Sequence, residues 1–180
     1  LIGFAIRIQW YAAPSMNAFG TANWDMTGGS DPWYMKRVVD YILANNAHLV
    51  VDADRFYPIG GINPRPPLFS WSMAIGAMAL EPFLNTPEDA VWWSMLALPA
   101  VYGALTVFPI ASMAKDHFGK GAGVLAAWLI AFMPAHVTHS TWALADHDAF
   151  VMLFISIGFM YWLRAVKYAG SARLTKVTTP

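Results

Sequence analysis

The chain has 180 residues, of which 57% are hydrophobic and only 12% charged, with 9 Trp and no Cys; a soluble domain carries about twice that share of charge. Eleven Lys and Arg balance eleven Asp and Glu, so the sequence carries no basic signature for nucleic acid. The lack of Cys excludes disulfides and thiolate metal sites, and leaves oxygen and imidazole as the only metal-binding groups.

The first segment, "LIGFAIRIQW", has no basic leader and no small-residue cleavage site, so it does not read as a complete signal peptide. Residues 1–12 are expected to be the end of a first transmembrane helix whose beginning lies upstream. A long loop follows, predicted over 13–66 and over 13–90 if the next apolar segment, 67–84, does not span. Within it "SDPWYMKRVVDYILANN" predicts a helix over 32–45, with Asp31 at the N-cap and Pro32 in the first helical position. Tyr34, Val38, Tyr41 and Ile42 recur at helical spacing and form one apolar face, with Lys36, Arg37 and Asp40 turned elsewhere. "FYPIGGINPRPP" is expected to be an irregular connector.

The next apolar segment, 67–84, contains Glu81 and Pro82 and follows a proline cluster, so it reads either as a span or as a loop helix. Three transmembrane helices are predicted beyond it, at 91–114, 121–138 and 149–168, since a bilayer core of about 30 Å needs roughly 17 to 25 helical residues. Lys115 and Lys120 follow the first of these, and Arg164, Lys167, Arg173 and Lys176 follow the apolar run 149–163 of the last, which assigns both ends to the cytoplasm by the positive-inside bias. The connection 139–148 then faces outside. From Asp25 to Asp89 there are eight acids against four bases, which leans towards an external first loop as well. Trp92, Trp93 and Trp142 are expected to belong to an aromatic belt at the membrane surface.

The residues with chemical potential gather in "THSTWALADHDAF". Asp148 can cap the helix that follows, as Asp31 can cap its own. A cap needs one acid, so Asp146 is surplus to that explanation. In an extended backbone Asp146 and Asp148 fall on the same side and can share a hard cation such as Mg²⁺ or Mn²⁺, with His147 pointing away from them. A rival pair, Asp52 and Asp54 in "VVDADRF", has Arg55 beside it and no span behind it, and is read as a solvated turn. His139 is a candidate partner for the acids or for a phosphate.

Two of these pieces, in this order, resemble a known family. "SDPWYMKR" followed by "YPIG" is similar to the first external loop of the oligosaccharyltransferase catalytic subunits, and "THSTWALADHDAF" to their second acidic motif at the start of the fourth span. The resemblance implies an all-α polytopic transmembrane helical bundle of the type C glycosyltransferase fold, with amphipathic helices 32–45 and 67–84 in a long external first loop. It implies transfer of an oligosaccharide from a polyprenyl phosphate or pyrophosphate carrier to Asn in N-x-Ser/Thr, with inversion at the sugar, in a membrane enzyme whose active site faces away from the cytoplasm. Asp31 matches the catalytic and metal-binding Asp of the first loop. Asp146 and Asp148 match the metal-binding second motif, with Mn²⁺ or Mg²⁺ as the expected cofactor. His139 and His147 would lie behind the metal ligands or face the donor phosphate. The expected partners are the lipid-linked donor, the acceptor peptide, membrane lipid and the C-terminal remainder of the same enzyme.

One departure is that His139 stands seven residues before Asp146, where many relatives carry Arg. An O-mannosyltransferase-like enzyme and a transporter or structural membrane subunit, in which Asp31 and Asp148 would only cap helices, are the alternative readings.

Overall fold

The structure is a computed structural model and describes residues 1–9 and 26–178. Residues 10–12 of the expected first span, the beginning of the loop through Asp25, and the side chains of Arg173 and Lys176 lie outside the described set. The elements are α1 (Ile2–Gln9), α2 (Ser30–Asn45), β1 (Val51–Asp52), β2 (Gly61–Ile62), α3 (Pro67–Leu80), α4 (Pro87–Leu105), α5 (Val107–Phe118), α6 (Lys120–Phe132), α7 (Pro134–Thr138) and α8 (Asp148–Thr178).

The chain is mostly helical, as expected, with one small β element added in the connector. β1 and β2 pair antiparallel, with Val51 opposite Ile62 and Asp52 opposite Gly61. The connector expected to be irregular therefore closes a small hairpin. Strands of two residues leave no periodic pattern to read in the sequence.

In α2 the buried face is Pro32, Met35, Val38, Val39 and Ile42. The predicted face is thus rotated: Tyr41 is exposed, and Met35 and Val39 take the inward positions. They meet Phe69, Met73, Ala74 and Ala77 of α3 in one core with Trp92, Met95 and Leu96 of α4. Full burial of each large apolar side chain contributes about 1.5–3 kcal/mol, so α2 is held by α3 and α4. Trp92 is part of this core, T-shaped against Trp33, and does not belong to a surface belt as expected.

Prolines set the helix breaks, and here one predicted span, 121–138, is corrected. α4 starts earlier than expected, at Thr86, whose hydroxyl accepts the Asp89 N–H at 3.1 Å. At Thr106 it gives way to α5, because Pro109 has no N–H to offer the Leu105 carbonyl. Together α4 and α5 cover Pro87–Phe118, 32 residues long and apolar enough to cross a membrane. The segment 121–138 is not one helix. Pro134 ends α6 after 13 residues, roughly 20 Å of rise, and the chain restarts as the short α7. α8 begins at Asp148 and continues to Thr178, and its apolar part, Asp148–Ala169, is the second helix that qualifies as a span by length and composition. α3 has 14 residues before a 3₁₀ turn at Glu81–Phe83, again about 21 Å, and packs along α4.

Candidate active site

Asp31 lies in the first turn of α2, whose N-cap is Gly29. The capping role expected for Asp31 is therefore not the one it plays. Its carboxylate instead takes the Nη2 donor of Arg65, which stands between the hairpin and α3. The other arm of the guanidinium, Nη1, lies 3.7 Å from the Asp146 carboxylate and 3.4 Å from His147 Nδ1. One side chain, only 15% exposed, thus joins an acid of the first loop to an acid of the second motif.

Asp146 and Asp148 do not sit in the extended segment the sequence suggested. The backbone from Thr141 to Asp146 is a run of tight turns, with the Asp146 N–H donating to the Leu144 carbonyl at 2.7 Å. Asp148 is the first residue of α8. His147 does not point away from the acids either: its backbone N–H and its Nδ1 both meet Asp146 Oδ1 at 2.7 Å. A carboxylate oxygen accepts, so the ring proton belongs on Nδ1, and Nε2 is left with the lone pair. His139 Nδ1 likewise contacts Asp148 at 2.7 Å. That contact occupies one oxygen of Asp148 and leaves the other for a ligand.

Ligand atoms from Asp146, His147 and Asp148 all fall within 4.8 Å of one another. Two carboxylates and an imidazole at that separation fit a hard or borderline divalent cation. Asp31 is not one of these three ligand groups and is linked to the cluster through Arg65. The first turns of α2 and α8 each hold one of the acids, and the positive ends of both helix dipoles favour the negative charge collected there.

The rival pair has a different occupation. Asp52 is buried, and its two oxygens accept from Arg37 Nε at 2.9 Å and Nη2 at 2.8 Å. The Arg37 hydrogen bonds outweigh burial and hold the Asp52 carboxyl below the usual carboxylate range, and Asp52 in turn raises Arg37. Asp54 binds the same guanidinium at 2.6 Å. The pair is therefore no solvated turn, and its lone pairs are consumed by a structural clamp between α2 and the hairpin.

Arg65 was not singled out by sequence reasoning. The only signal was a base isolated within "NPRPP". The structure also reveals Arg7, a charge in the apolar first segment and fully buried, where an ionisable residue in such a run invites a functional reading.

Comparisons with known proteins complete the description of the site. The model of the family described as "Oligosaccharyl transferase STT3, N-terminal" matches residues 1–175. The chain is similar to dolichyl-phosphooligosaccharide-protein glycotransferase 3 of Archaeoglobus fulgidus, 31% identical over 108 residues, which are 59% of this chain and 12% of the relative. It is also similar to the STT3 subunit of dolichyl-diphosphooligosaccharide–protein glycosyltransferase from Saccharomyces cerevisiae, 27% identical over 143 residues, 76% of this chain and 20% of the relative. The fold is that of the archaeal oligosaccharyltransferase AglB from Archaeoglobus fulgidus in complex with an inhibitory peptide and a dolichol-phosphate. That structure superposes with a TM-score of 0.75 at 23% identity, over 91% of this chain and 18% of the other. The chain thus spans at most 20% of the length of these relatives.

Proposed function

The chain belongs to the oligosaccharyl transferase STT3 N-terminal family, and from that premise we propose that it forms the acid-bearing membrane portion of an enzyme that transfers an oligosaccharide to Asn in N-x-Ser/Thr. The donor is a lipid-linked oligosaccharide on a polyprenyl phosphate or pyrophosphate, a reading supported by the dolichol-phosphate and peptide bound to the archaeal relative. The rest of the enzyme supplies the remainder of the site, as expected from the small share of its relatives that this chain covers.

The observation that carries the reading is the meeting of Asp31 and Asp146 on one guanidinium. Two residues in such contact lie at the same depth in a membrane, so the intervening chain crosses it an even number of times. α4 with α5 and α6 with α7 provide two crossings as a hairpin turning at Gly119, and α3 then remains a loop helix on the side of the acids. Bases gather at the opposite end: Lys115 and Lys120 flank the turn, and α8 sends Arg164 to the Asp116 carboxylate at 2.7 Å and Lys167 to its backbone carbonyl. That distribution supports a cytoplasmic turn and an extracytoplasmic active site in a polytopic bundle.

An Asn amide nitrogen is a poor nucleophile because its lone pair is delocalised. Asp31 accepts hydrogen bonds from the amide N–H groups, which weakens that conjugation as nitrogen approaches the anomeric carbon. The C–N bond forms as the sugar–phosphate C–O bond breaks, with inversion, and the displaced amide proton passes to a carboxylate. Asp31, Asp146 and Asp148, with the His147 imidazole beside the last two, would hold Mn²⁺ or Mg²⁺, which when bound neutralises charge growing on the departing phosphate oxygens. His139 orients Asp148 through the Nδ1 contact. Arg65 stands where a phosphate released next to the acids would find a cationic donor.

In the complete enzyme, Asp31→Ala or Asp146→Ala abolishes glycosylation of an N-x-Thr peptide without loss of folded protein. Undiminished turnover in both variants overturns the reading. Transfer to Ser or Thr in peptides lacking Asn would favour the O-mannosyltransferase-like alternative instead.

A further inference from the structure

Arg7 presents a physical puzzle in the first helix. Its guanidinium is fully buried, and no carboxylate faces it among the described residues. Nε donates to the Ser140 hydroxyl at 2.8 Å, and Nη1 to the carbonyls of Gly3 at 2.6 Å and Ala131 at 3.5 Å. Nη2 is buried and has no hydrogen-bond partner among the described residues. The neighbouring titratable group is His136, buried on α7 and in contact with the Gly103 carbonyl at 3.2 Å. Burying a charge in this way is costly, and an apolar side chain of similar length would pack at less cost. Stability alone does not account for the guanidinium.

Its directional bonds do account for it. The Ser140 hydroxyl that receives Nε also donates to the His136 carbonyl. The Arg7 carbonyl accepts the Trp142 N–H at 3.1 Å, the Ala143 N–H donates to Leu96 of α4 at 2.9 Å, and the Ala143 carbonyl accepts from Thr27 at 3.0 Å. Ala143 itself has φ +69°, a left-handed conformation that a non-glycine residue keeps only when its surroundings impose it. A Cβ on Gly103 would lie 2.4 Å from Ser140 Cβ and 2.5 Å from Arg7 Nε, so α4 leaves room for this junction and nothing more. From this junction the chain runs on through Leu144, whose carbonyl accepts the Asp146 N–H, and on the other side Thr27 precedes Asp31 in the same loop.

We propose that Arg7 is a positioning residue of the active site: from inside the first helix it fixes the segment 140–146, and thereby the placement of Asp146 relative to Asp31. The proposal rests on the reading of those acids as the metal- and acceptor-binding groups. Arg7 touches neither acid; its guanidinium acts through the Ser140 hydroxyl, next to the bond that its backbone carbonyl accepts from the Trp142 N–H whatever the side chain.

The test uses the complete enzyme with Arg7→Met, Ser140→Ala, the double variant, and Arg164→Met as a control at the opposite end of the bundle. Two readouts are taken: hydrogen exchange of the peptide covering 140–146, and Mn²⁺ affinity by titration. Arg7→Met is expected to speed exchange there about tenfold and to weaken Mn²⁺ about tenfold, with the double variant no worse than Arg7→Met alone. Arg164→Met lowers thermal stability and leaves both readouts unchanged. If Arg7→Met does not fold, Ser140→Ala and Arg7→Lys carry the same expectation in smaller degree. Unchanged exchange at 140–146, or an equal rise across all helices, overturns the proposal, as does Mn²⁺ affinity within about twofold of wild type. If wild-type Mn²⁺ binding is insensitive to Asp31→Asn and Asp146→Asn, the reading of the acids fails, and the exchange data still decide the role of Arg7.

Discussion

Arg65 pairs with Asp31, and through that pairing the start of α2 is held against the second acidic motif. The guanidinium supplies positive charge at the point where two carboxylates converge. A bound divalent cation would perform the same service, so the two cations compete for the acids. In Arg65→Met the acids face one another without a counter-charge, and the metal-free protein loses about 1–3 kcal/mol. Mn²⁺ should then raise the melting temperature of the variant more than that of the wild type. Thermal scans with and without Mn²⁺ measure this, and a smaller rise in the variant would mean that Arg65 supports the metal instead of competing with it.

The clamp between Arg37 and Asp52 gives the loop a dependence on acid. The Asp52 carboxyl is held below its ordinary value chiefly by the Arg37 hydrogen bonds. Its folded-state pKa is thus lower than its unfolded one, and the pair stabilises fully above the unfolded value of about 3.9. That contribution is lost as pH falls through the lower, folded value. Arg37→Met strands a buried carboxylate and costs about 2 kcal/mol at neutral pH, and its stability profile flattens on the acid side. Asp54→Asn, at an exposed position, changes stability by less than about 0.5 kcal/mol. Denaturant unfolding across pH checks both.

Two helical glycines are expected to respond in opposite directions to the same change. A Cβ on Gly76 would come within 2.6 Å of Ser94 Oγ and 2.8 Å of Leu98 Cδ1, whereas one on Gly121 meets nothing. Gly76→Ala pushes α3 from α4 and costs about 1–3 kcal/mol. Gly121→Ala gains about 0.5–1 kcal/mol from helix propensity. Comparative thermal melts in the same detergent decide the matter.

The N-cap of α4 offers a local test of the first long span. Thr86→Ala removes the acceptor of the Asp89 N–H and costs about 1 kcal/mol, while Thr86→Ser restores nearly all of it. A loss retained by Ser would place the effect in the Thr methyl group.

Legibility in the sequence followed the range of the interaction. α2 could be anticipated because proline at a helix start and apolar spacing act within a few residues. Its buried face was misjudged by one step because Met35 and Val39 are chosen by α3, not by α2. The span at 91–114 lies inside the apolar stretch Pro87–Phe118, whereas 121–138 was read from composition, which counts Pro134 as merely apolar when it withholds an N–H that the helix needs. Asp52 and Asp146 stand in nearly the same local pattern. What separates them is the partner: Arg37 fills both oxygens of one, and Arg65 leaves most of the other open. No local rule carries that difference, since Arg65 reaches Asp31 and Asp146 only after the hairpin and α3 are in place.

The bonds made by Trp142 and Ala143 to α1, α4 and Thr27 bear on how such a protein can lengthen over generations. A residue inserted between 139 and 146 would shift every one of those partners, so the stretch tolerates substitution but not added length. The hairpin tip carries no such debt: Phe56, Tyr57 and Ile59 are largely exposed, and extra residues there would leave the β1–β2 pairing intact. Differences in size among active members of the family should therefore accumulate at 56–60 and be missing from 140–145.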